Sequence, residues 1–112
     1  MYRHGDVYLI PAEQAKTINP QFRIQEVVED KDGKHILAYG EASGHYHAVT
    51  GANIVAESGG LVLEIGEEGG VLQHLGYPGH KEHADISLPP GKYVPVQQHE
   101  YDIVQGWRQV VD

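Results

Sequence analysis

The chain has 112 residues, no cysteine, and a formal net charge of -8 at pH 7 from 16 acidic against 8 basic residues. That length gives room for one domain with one modest core, and the acidic balance repels nucleic-acid phosphates and anionic membrane, so neither is an expected partner. Without cysteine there are no disulfides and no thiolate zinc sites, and any transition metal would need histidine, carboxylate and water ligands.

No stretch approaches the roughly 20 apolar residues of a membrane span, and no apolar segment of signal-peptide type follows Met1-Tyr2-Arg3-His4-Gly5-Asp6, so a cytoplasmic location is expected. The apolar residues, 40% of the chain, fall in short runs separated by glycine, the pattern of a globular β protein. Residues 5–11 read as a first strand closed by Pro11, and Ala12 to Lys16 as one helical turn. Gln21 to Glu29 alternates through Phe22 and Ile24 and reads as a strand. Asp30-Lys31-Asp32-Gly33 then predicts a hairpin turn into a return strand from Lys34 to Tyr39.

Gly40 and Gly44 bracket a turn or bulge before His45. After Thr50, Gly51-Ala52-Asn53 predicts a turn, Ile54 to Glu57 a strand, Ser58-Gly59-Gly60 a turn and Leu61 to Ile65 a strand. Val71 to Leu75 predicts a further strand, followed by the polar loop Gly76 to Glu82. His83 to Leu88 alternates with Ala84, Ile86 and Leu88 on one face and His83, Asp85 and Ser87 on the other. Pro89-Pro90-Gly91 is a turn, Lys92 to Tyr101 the closing strand, and Asp102 to Asp112 a tail carrying the one tryptophan, Trp107. The expected fold is all-β: one domain over residues 1–112, a small β-barrel or β-sandwich with a short C-terminal tail.

The chemistry concentrates at His45-Tyr46-His47. On a strand these two imidazoles share a face with Cα atoms about 6.5–7 Å apart, close enough to converge on one ion. A third imidazole from a neighbouring strand would leave one tetrahedral position for water. His83 is the first expected third ligand and His74 the second, with His80, Glu82 and His99 behind them. The competing reading is a pair of polar histidines in a solvated groove.

The stretches Gly44-His45-Tyr46-His47, Glu82 to Tyr93 and Gln98-His99-Glu100-Tyr101 resemble a group of small uncharacterised bacterial and phage proteins that share the order G-H-x-H, E-H, L-P-P-G-x-Y and Q-x-E-Y. That resemblance implies no activity. The H-x-H pair is also similar to part of the cupin pattern, which implies a cupin-like β-barrel, but Glu57 is too far from His47 and His83 precedes Pro89-Pro90-Gly91, so only His45 and His47 carry over. His45, His47 and His83 also resemble the three-histidine ligand logic of the alpha-type carbonic anhydrases, which are much larger proteins.

The expected cofactor is therefore a divalent metal, zinc favoured, whose bound water, with a pKa near 7, would hydrate or hydrolyse a small-molecule substrate. Glu82, ahead of Glu41 and Glu57, is the candidate catalytic acid or base. Fe(II) on the same ligands would make a cupin-like oxygenase instead. The other class is a non-catalytic binding or assembly module, phage-related, that uses exposed strand edges and the Trp107 tail to form homo-oligomers. No phosphate-cradling loop, dinucleotide fingerprint or Ser/His/Asp order is present, because Gly59-Gly60 and Gly69-Gly70 precede strands where such loops precede helices.

Overall fold

The computed structural model describes residues 1–39, 45–57, 60–75 and 84–98, the side chains of His4 and Thr17 excepted. Among the described residues ten strands follow in order: β1 (Tyr2–His4), β2 (Val7–Pro11), β3 (Val28–Glu29), β4 (His35–Tyr39), β5 (Tyr46–Thr50), β6 (Ala52–Glu57), β7 (Gly60–Ile65), β8 (Gly70–Leu75), β9 (Ile86–Leu88) and β10 (Gly91–Gln97). They form two five-stranded sheets, β1-β2-β10-β7-β6 and β3-β4-β5-β8-β9, in which every pairing is antiparallel. Among the described residues no ladder joins one sheet to the other. The all-β expectation therefore takes the form of a sandwich and not a closed barrel.

Between the sheets lie Val7, Leu9, Leu63, Ile65 and Tyr93 from the first and Leu37, Val49, Leu72 and Leu88 from the second. Full burial of each such side chain stabilises by about 1.5–3 kcal/mol. The first sheet is buried on its outer face as well, where Tyr8, Ile10, Val62, Val94 and Val96 are covered by Ala12, Ala15, Ile18 and Phe22. This explains why Val7-Tyr8-Leu9-Ile10 is apolar without alternation: a strand covered on both faces has no polar side to present.

The cover comes from two short 3-10 helices, Ala12–Thr17 and Pro20–Phe22. The first coincides with the expected helical turn after Pro11. The second interrupts the strand expected over Gln21 to Glu29. Pro20 sits at the helix start and the Asn19 side chain accepts from the Gln21 N–H (3.2 Å), so the chain turns there. Phe22 then packs on the outer face while Ile24 enters the interior, its N–H donating to the Pro95 carbonyl (3.0 Å). The alternation in this segment thus reports a passage from one layer to the other, with one bridge, Arg23 to Val96, and only Val28–Glu29 in a ladder.

The Asp30–Gly33 hairpin forms as expected, with Gly33 at φ +79° and the Asp30 N–H donating to the Lys34 carbonyl (2.8 Å). Gly51 alone turns β5 into β6, so β6 begins two residues earlier than expected. β9 and β10 are shorter than expected; His83 and His99–Tyr101 lie outside the described residues. Among the described residues no helix is long and apolar enough to cross a membrane.

Candidate functional site

Antiparallel register decides which β5 residues meet which β8 residues. Val49 lies opposite Leu72, and His47 opposite His74. Val49 and Leu72 belong to the interior core, so the pleat directs His47, His74 and, two residues before His47, His45 to the same interior side. All three are buried: His45 is 8% exposed, His47 3% and His74 3%. The His74 ring centroid lies 4.8 Å from that of His47 and 5.3 Å from that of His45. The two imidazoles expected to share a face do so, and of the two expected third partners His74 is the one the described structure brings to them. His83, Glu82, Glu41, His80, His99 and Trp107 lie outside the described residues.

Space for these rings comes from β4. Ala38 is the register partner of His47, and a bulge between Ile36 and Ala38 buries both Leu37 and Ala38. A methyl group beside His47 leaves room that a larger residue would fill.

The opposite sheet supplies two polar groups that the sequence reading did not single out. Asp6, in the turn between β1 and β2, has Oδ1 4.0 Å from His47 Nε2, and its Oδ2 accepts a hydrogen bond from Gln97 Nε2 (3.1 Å). The Asp6 carbonyl accepts from the Gln98 N–H (2.9 Å), which ties this turn to the end of β10. Sequence pattern assigns Gly5 and Asp6 to the first strand, whereas the structure makes them the turn between β1 and β2; that this turn faces His47 is a matter of sheet packing.

Polar accounting draws attention to the His45 ring. His45 Nδ1 is buried and has no hydrogen-bond partner among the described residues, a state that costs about 1–3 kcal/mol for a neutral polar group. No three or more His, Asp or Glu side chains among the described residues stand arranged to hold a metal ion between them. Glu57, an expected acid for the site, is exposed and pairs with Lys92 (3.4 Å).

Tyr46, between the two histidines, takes the other face and donates its hydroxyl to Asp30 Oδ2 (2.9 Å). Asp30 Oδ1 accepts from the Asp32 and Lys34 N–H groups (both 2.9 Å). Burial pushes the Asp30 carboxyl up, but the bonds from Lys34, Tyr46 and Asp32 outweigh it and hold the group below the ordinary carboxylate value. Burial and the Asp30 acceptor push the Tyr46 phenol up. This anchor outside the sheet helps fix the facing of the histidines on either side of Tyr46.

Fold and site together define a small antiparallel two-sheet β-sandwich with an imidazole cluster at one end of its interior. The chain belongs to the family described as Domain of unknown function (DUF8820), which matches residues 3–98, a span that includes Asp6 and all three clustered histidines. No curated protein and no solved structure matches it.

Proposed function

We propose that the protein binds a divalent metal, zinc before Fe(II), through His45, His47 and His74, and uses the bound water to hydrate or hydrolyse a small molecule. The observation that carries this reading is the burial of three imidazoles with ring centroids 4.8 and 5.3 Å from the shared His74. Two imidazoles bound at about 2.0–2.1 Å in a tetrahedral arrangement have centroids about 5.2 Å apart. Rotation about the side-chain torsions, soft at the imidazole χ2, is the adjustment such a ligand set would call for. The buried His45 Nδ1 would gain the partner it lacks among the described residues.

His83 competes for the third position. The sequence alternation groups it with Asp85 and Ser87, away from Ile86 and Leu88; Leu88 belongs to the interior core and Ile86 packs against that core. His74 therefore has the stronger support. Asp6, 4.0 Å from His47 Nε2, is suited to orient that ring or to take a proton from the metal-bound water. Glu82 keeps its candidacy from sequence alone.

Elemental analysis of protein purified without a nickel column tests the reading. About one equivalent of metal per chain is expected, lost in the His45→Ala/His47→Ala double variant and in His74→Ala but kept in His83→Ala. Loss in His83→Ala with retention in His74→Ala would transfer the third position to His83. Full retention in the double variant would reject the site. Hydration and ester-hydrolysis assays of the zinc-loaded protein, and oxygen uptake after anaerobic Fe(II) loading, then separate the two chemistries.

A further inference from the structure

A cleft of about 340 Å³ is lined by Arg23, Gln25, Glu26, Ala38, Tyr39 and Gln97 among others, with none of the three clustered histidines in its wall. Two of these residues are shared with the site. Ala38 is the strand partner of His47, and Gln97 holds the Asp6 carboxylate that lies 4.0 Å from His47 Nε2.

Arg23 is the unusual group in this wall. It is half-buried, and among the described residues no carboxylate lies within ion-pair distance of it, although the chain carries a net charge of -8. Its Nη2 donates to the Leu61 carbonyl (3.1 Å), which fixes the guanidinium, while its Nε is buried with no acceptor among the described residues. Gly60 leaves room for it: a Cβ there would lie 3.1 Å from Nε. A guanidinium has five N–H donors in a rigid planar fork that fits a carboxylate, and a half-buried one without a counter-charge is costly to hold.

We propose that this cleft recognises the carboxylate of a small organic acid through Arg23. Resting on the metal reading above, the inference is that this acid is the substrate, its carboxylate on Arg23 and its reacting end toward His47. Gln25 and Gln97 border the space between, and Glu26 is exposed. The volume falls at the small end of ligand sites, which suits a compact molecule.

The test is titration of the full-length, ¹⁵N-labelled protein with propionate, and with propionamide as the neutral analogue of the same shape, following the Arg23 Nε–H and backbone amide resonances. Propionate should shift Arg23 and the cleft amides with a dissociation constant on the order of 1 mM, and propionamide should bind at least about tenfold more weakly. Arg23→Gln should weaken propionate by about tenfold or more, and Arg23→Lys, which keeps the charge but not the fork, by less. The wild-type shifts make the test independent of whether either variant folds. Equal binding of propionate and propionamide, absence of shifts at Arg23, or preference for inorganic phosphate would overturn the carboxylate assignment. Repeating the titration after chelation separates the two proposals. Propionate bound at Arg23 in a protein shown to take up no metal upholds the subsite and rejects the metal chemistry; metal bound with no propionate response does the reverse.

Discussion

The inward-facing row of β5 changes character along its length. Val49, paired with Leu72, is fully buried among hydrocarbon; one step along the same face, His47, paired with His74, is buried almost as completely among imidazoles. The same pleat and the same burial thus serve two ends of one interior with opposite energetics. At the Val49 end burial itself is the stabilising term. At the His47 end it imposes a desolvation cost, visible in the buried His45 Nδ1, that hydrocarbon would avoid. The proposed metal site would offset that cost by giving the buried imidazole nitrogen a partner.

Truncation at the hydrocarbon end should have the largest effect. Leu72→Ala should lose about 2–5 kcal/mol in urea unfolding, because Leu72 is fully buried and its neighbours cannot fully collapse into the gap. The β5–β6 turn at this end is also intolerant. Gly51 has φ +74°, and a Cβ there would meet the Gly69 carbonyl oxygen at 2.5 Å. Gly51→Ala should cost about 1–3 kcal/mol or prevent folding, whereas Gly33→Ala, at φ +79° with open space around it, should cost only about 1 kcal/mol.

The imidazole end should behave differently. In chelator, His74→Leu should unfold within about 1 kcal/mol of the parent or be more stable, since it exchanges a buried polar ring for hydrocarbon of similar size. Added zinc should then raise the unfolding midpoint of the parent, by about 2.7 kcal/mol at a hundredfold excess over the dissociation constant, and leave His74→Leu unmoved. A loss in His74→Leu as large as that in Leu72→Ala would break the contrast and make the cluster ordinary core.

The smallest effect concerns the outer anchor. The Asp30 carboxyl lies below its ordinary value, so the stability it contributes is present above about pH 4 and is lost as pH falls through its folded value. The Tyr46 phenol lies above its ordinary value, so its contribution is present below about pH 10 and is lost as pH rises through its folded value. Tyr46→Phe should remove the alkaline limb of the stability profile measured by urea midpoint against pH and weaken the acid limb only in part, because the Lys34 and Asp32 N–H bonds to Asp30 remain.

Local chemistry was enough to read much of this architecture. Alternation placed Leu61, Leu63 and Ile65 on a strand, Asp-Gly placed the β3–β4 hairpin, and the one-residue spacer put His45 and His47 on a common side; each depends only on neighbours in the chain. Gln21 to Glu29 misled because a segment crossing between layers also sends successive residues to different environments. That His74 lies opposite His47 was decided by the register of β5 on β8, and the approach of Asp6 to His47 by the stacking of one sheet on the other. Strand pairing and sheet packing join residues dozens of positions apart, and the periodicity of a single segment carries no information about its partner.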